Sequence, residues 1–262
     1  MAKIIAIANQ KGGVGKTTTA INLSASIAAS EKRVLLIDFD PQSNSTSGVG
    51  IRKGTITYTI LDVLLNNHPI EEVITKTTLE YFDVIPTTEE LIGVEAGSLQ
   101  KESRERLLLR SLKNILGNYD YILIDCAPSL GILTMNALAA ADSVIIPLQC
   151  EYYAMEGLAQ LIKTITRVKN DLNPELRVEG ILLTMFDTRN NLCHQVVSDV
   201  TTHLKDKVFQ TIIPRNIKLT EAPSFGKPVL TYAADSTGSR SYLNLAYEII
   251  AREQKSAEER EL

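Results

Sequence analysis

The chain has 262 residues, 44% hydrophobic and 22% charged, with a net charge of −4. A chain of this length buries a full core without disulfides or metals, and Cys126, Cys150 and Cys193 are scattered, odd in number and without a CxxC pair, which argues for a reducing compartment and against a structural zinc site. The start is no signal peptide and no apolar run reaches about 18 residues, so a cytoplasmic protein that spans no membrane is expected, while the acidic balance counts mildly against nucleic acid without excluding a local basic patch.

An apolar strand is predicted over residues 3–9, followed by the glycine-rich run Gln10-Lys-Gly-Gly-Val-Gly-Lys-Thr-Thr18 and a helix over 17–30. Between strand and helix, such a loop aims successive backbone N–H groups at one point, and the helix dipole adds to the pull on an anion. Gly15, Lys16 and Thr17 match the end of the G-x-x-x-x-G-K-[ST] pattern, but Gln10 stands where its first glycine belongs. Lys16 would reach the β- and γ-phosphates of ATP, Thr17 would ligate Mg2+, and Thr18 would bond the α-phosphate. Lys11 is a second lysine in a loop that needs one, which suggests a lysine acting across a dimer interface on the partner's nucleotide.

The strand over 33–38 ends in Asp38-Phe-Asp40-Pro-Gln42. Strand alternation would place Asp38 and Asp40 on one side, one ordering the water shell of Mg2+ and the other orienting the attacking water. A helix over 59–66, a strand over 82–86 and a helix over 104–116 follow. The strand over 121–125 closes on Asp125, which reads as a Walker B carboxylate serving Mg2+ directly or through water. Beyond it the pattern predicts a helix over 132–141, a strand over 143–147, a helix over 157–172, a strand over 180–186, a helix over 193–204, a strand over 208–213 and a last helix over 238–252. A charged tail, 253–262, reads as a fraying helix end. This alternation implies a doubly wound α/β fold, a mostly parallel sheet with helices on both faces, in one domain over 1–252. Its ligand would sit beyond the carboxyl ends of the strands, where the glycine loop, the Asp38–Asp40 pair and Asp125 converge.

The loop Lys11-Gly12-Gly13-Val14-Gly15-Lys16-Thr17 resembles the deviant Walker A motif of the ParA/MinD group of ATPases. Asp38-Phe39-Asp40-Pro41-Gln42 resembles its Walker A′ motif. Asp125-Cys126-Ala127-Pro128-Ser129, Gln149-Cys150-Glu151-Tyr152-Tyr153, and Pro214-Arg215-Asn216 with Glu221-Ala222-Pro223-Ser224 resemble the chromosomal ParA (Soj) branch. The likeness runs from about residue 3 to 245.

The resemblance implies a Mg2+-dependent ATPase that forms a nucleotide sandwich homodimer and binds double-stranded DNA without sequence preference. A ParB-type centromere-binding partner would stimulate hydrolysis, and the protein would be cytoplasmic and nucleoid-associated. It further implies that Lys11 acts across the dimer and that Gly12 lies where two loops approach closely. Asp40 would serve hydrolysis, and Asp38 the outer coordination sphere of Mg2+. Pro214 and Asn216 would hold adenine, and Glu151, Tyr152 and Glu156 would lie near the dimer face. Arg189 and Lys218 match the family's DNA-contacting positions, with Arg215, Lys227 and Arg240 as neighbours.

Three rivals are discounted. A MinD-like membrane-surface ATPase needs an amphipathic, basic C-terminal helix, and this end is polar and acidic. An iron–sulfur reductase needs paired cluster cysteines, whereas Cys126 and Cys150 read as small buried residues. A P-loop small-molecule kinase or amidoligase needs an acceptor pocket that the sequence does not reveal. A partition protein with an N-terminal helix-turn-helix is not expected, because the loop strand begins at Lys3.

Overall fold

The computed structural model describes residues 1–95, 104–151, 154–204 and 207–261. Seven strands form one sheet in the order β3-β4-β2-β5-β1-β6-β7. These are β1 (Lys3–Ile7), β2 (Val34–Phe39), β3 (Thr75–Lys76), β4 (Phe82–Ile85), β5 (Tyr121–Cys126), β6 (Ser143–Gln149) and β7 (Arg177–Thr184). All neighbours pair in parallel except the two-residue edge strand β3, which runs antiparallel to β4. The doubly wound architecture predicted from the strand–helix alternation is therefore present.

The helices are α1 (Lys16–Ala28), α2 (Asn44–Gly48), α3 (Ile60–Asn66), α4 (Ile92–Glu95), α5 (Leu107–Leu112), α6 (Ile132–Ala140), α7 (Ala154–Asp171), α8 (Asn191–Leu204), α9 (Ile217–Glu221), α10 (Val229–Tyr232) and α11 (Thr237–Glu261). They divide into two layers because strand side chains alternate between the sheet's faces. Ile4, Ala6, Leu35, Ile37, Ile122 and Ile124 join a core with α5, α6, α7 and α8. Ile5, Ile7, Val34, Leu36, Tyr121 and Leu123 join a second core with α1 and α11. By the same parity, Asp38 on β2 and Asp125 on β5 emerge on the face that carries α1.

Asn22 fastens the C-terminal segment to α1. Its side chain donates to Thr18 O and accepts from the Val229 N–H, each at 2.7 Å. Helix α7 shows the apolar stripe expected of a surface helix, with Leu158, Leu161, Ile165 and Val168 buried at three- and four-residue spacing. Among the described residues, no helix is long and apolar enough to cross a membrane.

Besides the short helices α2, α4, α9 and α10, which the sequence pattern does not predict, the sequence-based elements differ from the structure chiefly in four places. The strand predicted over 208–213 is absent as a ladder, and isolated bridges join Val208 to Ile181 and Pro214 to Phe186. The reason is a tertiary contact: the N–H groups of Gln210 and Thr211 donate to the Glu248 carboxylate of α11, at 2.9 and 3.0 Å, instead of to a strand. Pro214 then has no N–H to offer. The edge strand β3 is too short to carry a periodic signal. The helix predicted over 104–116 shortens to α5, preceded by a single 3-10 turn at Arg104–Arg106. The last helix passes residue 252 and continues to Glu261, so the charged tail is helical, with the Tyr121 hydroxyl bonded to Glu253.

Candidate nucleotide site

Between β1 and α1 the chain must turn sharply enough to aim its N–H groups at one point. Gly13 and Gly15 supply the turn with φ of 77° and 92°, a region in which side-chain-bearing residues are strained. Gly15 caps α1 with no side-chain cap hydrogen bond, which leaves the first-turn N–H groups facing the loop's interior. Two contacts brace the loop from outside. Asn9 Nδ2 donates to Pro147 O at 2.8 Å while its Oδ1 accepts the Lys11 N–H at 3.0 Å, and the Thr184 hydroxyl donates to Val14 O at 2.9 Å. Gln10, in the place of the missing glycine, reaches sideways and donates to Gln160 Oε1 of α7 at 2.9 Å.

Lys16 is 6% exposed and its Nζ donates to the Lys11 carbonyl at 3.0 Å. Burial lowers its ammonium pKa, and the nearby Asp125, Cys126 and Asp40 oppose that fall. A cavity of about 280 Å3 opens over the loop, lined by Gly12, Gly13, Gly15, Lys16, Thr17, Thr18, Asp40, Gln42, Asn44, Pro128 and Met185. A second cavity of about 590 Å3 adjoins it, sharing Gly15, Thr18 and Met185, with Pro214, Asn216, Ile217 and Tyr242 among its walls. A polar cradle leading into a larger, mostly apolar chamber fits phosphates followed by a nucleoside.

The three acids do not share one environment. Asp38 and Asp125 are register partners on adjacent strands, and both are wholly buried. Burial raises both carboxyl pKa values, their mutual repulsion adds to the rise at Asp125, and the hydroxyls of Ser45 and Thr17 oppose it there. Asp125 Oδ2 accepts the Ser45 hydroxyl at 2.7 Å, and its Oδ1 is buried without a hydrogen-bond partner. Asp38 Oδ2 accepts both the N–H and the hydroxyl of Thr46, at 2.7 and 2.6 Å, which turns it away from the cavity. Asp40 lies past the end of β2 and lines the phosphate cavity, its Oδ1 accepting the Gln42 N–H at 3.0 Å. The expectation that alternation would present Asp38 and Asp40 alike fails, because the strand ends at Phe39 and the turn re-aims Asp40. The Thr17 hydroxyl and a buried carboxylate oxygen without a hydrogen-bond partner, joined by the phosphates a nucleotide would place beside them, would make an oxygen donor set that suits Mg2+.

A family model described as an AAA domain matches residues 2–178. The chromosome partitioning protein ParA of Myxococcus xanthus is 56% identical over 253 residues, covering 97% of this chain and 89% of that protein. The chain belongs to the ParA/Soj family of chromosome-partitioning ATPases. The sporulation initiation inhibitor Soj of Bacillus subtilis is 53% identical over 251 residues, 96% of this chain and 99% of that one. Among solved structures, cobyrinic acid a,c-diamide synthase from Mycobacterium smegmatis, with bound ADP and magnesium, superposes with a TM-score of 0.85 at 35% identity over 98% of this chain and 97% of that one.

This ParA/Soj-family ATPase brings most of the sequence-predicted site residues together and scatters the rest. Gly12, Gly13, Gly15, Lys16, Thr17, Thr18 and Asp40 line the smaller cavity, Asp125 lies against Thr17 and Lys16, Asp38 is turned to Thr46, and Pro214 and Asn216 line the larger cavity. The Asn216 side chain is already occupied: its Oδ1 accepts the Lys218 N–H at 2.9 Å and its Nδ2 donates to Thr237 at 2.7 Å. The Lys11 ammonium does not line the phosphate cavity of its own chain; it pairs with Glu151 at the rim. Glu156 is exposed in the first turn of α7, and Tyr152 lies outside the described residues.

Of the candidate DNA-contacting cations, Arg189 forks onto Asp187, at 2.8 and 3.0 Å, and Lys218 pairs with Glu221 at 2.9 Å. Hydrogen bonds from Arg189 hold the Asp187 carboxyl well below the usual range. Arg215, Lys227 and Arg240 are exposed and make no ion pair among the described residues.

Met185 was not legible as a site residue, although it borders both cavities and holds a left-handed φ of 52°. Thr184, Asn44 and Pro128 were missed as well. Their signal is tertiary, since each ends or follows an element that approaches the loop from a distant part of the chain. Cys126 is buried in β5 and Cys193 donates to the Cys150 carbonyl, so these thiols are packed side chains; no cluster of three metal-ligating residues occurs among the described residues.

Proposed function

We propose that ATP joins two copies of this partitioning ATPase across their nucleotide loops, and that the dimer binds double-stranded DNA without sequence preference. A ParB-type partner stimulates hydrolysis and returns the chain to a form that leaves DNA. Lys16, Thr17, Thr18 and the loop N–H groups hold the phosphates, and Pro214 with the Asn216 region borders the base. Thr17 and Asp125 serve Mg2+, Asp38 supports that sphere from behind Thr46, and Asp40 orients the attacking water. The protein works in the cytoplasm on the nucleoid.

The observation that carries this reading is the Lys11–Gly12 pair. Lys11 carries its charge away from its own phosphate cavity, to a rim that a second copy could meet. Gly12 is exposed, lacks a left-handed φ, and a Cβ built on it meets nothing within 4 Å. Its own chain gives no reason for a glycine there, whereas close approach of a second loop does. Gly12→Val is therefore expected to bind ATP with unchanged affinity and to stay monomeric. Light scattering with ATP checks it, and a dimer of normal affinity counts against the sandwich.

A few exposed cations on each subunit give weak binding, about 10⁻⁴ to 10⁻⁶ M at physiological salt, and pairing two such patches raises it through effective concentration. DNA binding then follows dimerisation, even in an acidic protein. Arg189→Glu is expected to abolish ATP-dependent binding to random-sequence DNA while leaving dimerisation intact; fluorescence anisotropy at low and moderate salt reads it. Unchanged DNA affinity would move the surface elsewhere. The same assay with and without a ParB-type partner tests the whole cycle. Turnover that responds to neither DNA nor partner leaves a small-molecule reaction, the reading favoured by the likeness to an amide-forming enzyme.

A further inference from the structure

Helix α2 is one turn long, yet its two adjacent hydroxyls reach two different strands. Consecutive helical residues point about 100° apart, so Ser45 and Thr46 diverge. Ser45 donates to Asp125 Oδ2 on β5 at 2.7 Å, and Thr46 donates twice to Asp38 Oδ2 on β2. Thr46 Oγ1 also accepts the Thr87 N–H at 3.1 Å, from the loop after β4. Ser45, Thr46 and Thr87 are all fully buried.

The placement of α2 is held from outside. A Cβ on Gly48 would come within 2.5 Å of Ile21 Cδ1 of α1, and one on Gly226 would come within 2.6 Å of Gly50 Cα. The turn is thus wedged between α1 and the segment that follows α9, and its hydroxyls cannot drift from the carboxylates.

Asp38 and Asp125 sit side by side in a buried place where no ion pair neutralises either among the described residues. Two such acids could trade roles or compete for one cation. The hydroxyls divide them: Thr46 occupies the Asp38 oxygen that would otherwise be free, and Ser45 occupies Asp125 Oδ2, leaving Oδ1 without a hydrogen bond of its own on a carboxylate that also faces the Thr17 hydroxyl.

We infer that Ser45 and Thr46 are positioning residues that reserve a single oxygen, Asp125 Oδ1, for the Mg2+ shell and hold Asp38 behind it, out of direct contact with the ion. The inference rests on the reading of Asp125 as a magnesium residue. Groups that orient a metal's ligands typically change metal affinity by about 10- to 100-fold when removed.

The test is equilibrium binding of a fluorescent ATP analogue, with Mg2+ and with EDTA, to the full chain and to Ser45→Ala, Thr46→Val and Thr46→Ser. The expected result is that Ser45→Ala and Thr46→Val lose about tenfold of the affinity gained with Mg2+. Both should keep the EDTA affinity within about twofold, and Thr46→Ser, which retains the hydroxyl, should recover most of the gain. A wild-type affinity indifferent to Mg2+ overturns the metal reading of Asp125, and this inference with it. A wild-type gain preserved in Ser45→Ala and Thr46→Val overturns the inference alone. Equal loss in Mg2+ and in EDTA, unrescued by Thr46→Ser, also overturns it, because a packing defect behaves that way. Should Thr46→Val fail to fold, Ser45→Ala decides by the same comparison.

Discussion

Lys16→Ala is expected to abolish ATP binding, with the affinity falling by at least about 100-fold. The magnitude follows from what a buried ammonium does beside phosphates. Charge-assisted hydrogen bonds contribute about 1.5–3 kcal/mol each, and a phosphate chain in this loop would take more than one from Lys16. Without it the loop N–H groups and the dipole of α1 remain, so residual weak binding is expected at millimolar nucleotide. The fold should survive, because among the described residues the Lys16 side chain makes one hydrogen bond, to the Lys11 carbonyl, and no ion pair. Two measurements separate the outcomes. Equilibrium titration with a fluorescent ATP analogue reads affinity directly. Thermal melting reads linkage: ATP at 100 times its Kd should stabilise the wild type by about 2.7 kcal/mol and should leave the variant's Tm unmoved. Tight ATP binding by the variant would remove the phosphate assignment from this loop.

The second large effect is on turnover. Asp40→Ala is expected to bind ATP within about threefold of wild type and to dimerise, while hydrolysis falls by about 100-fold or more, the range over which a group positioned for proton transfer acts. The structure separates Asp40 from the other two acids in a way that makes this selective. Asp40 borders the phosphate cavity, whereas Asp38 is covered by Thr46 and Asp125 is buried beneath the loop. Removing Asp40 leaves the loop, Lys16 and the buried pair in place, so binding and chemistry should come apart. Single-turnover hydrolysis measured beside light scattering checks both halves. Wild-type turnover would exclude Asp40 from the chemistry, and loss of binding would make it a structural residue of the cradle.

The parts of the site that were legible in the sequence are those in which one short segment does the work. The run Gln10 to Thr18 places strand, loop and helix in contiguous residues, so its glycines, lysine and threonines announce their geometry. Asp125 is legible because it ends an unbroken apolar run. The same logic over-read residues 208–213, which are apolar enough for a strand. There Glu248, more than thirty residues later, takes the N–H groups that a strand would have used. Met185 illustrates the converse: its strained backbone and its place between the two cavities come from β7 ending beside the loop, which no local pattern reports.

The sequence by itself determined the layer order of the fold, the phosphate cradle and the family, because strand periodicity and the loop's spacing are local properties of the chain. The tertiary structure alone decided where each acid stands relative to the loop. Asp38 and Asp40 look equivalent as letters two residues apart. They part because β2 stops at Phe39 and because α2, wedged against α1, sends the Thr46 hydroxyl to one of them. Lys11 reads in sequence as a second lysine acting across a dimer, but its place beside Glu151 depends on β6 ending next to the loop. Those distinctions rest on contacts between segments far apart in the chain, which buried packing settles and local pattern cannot.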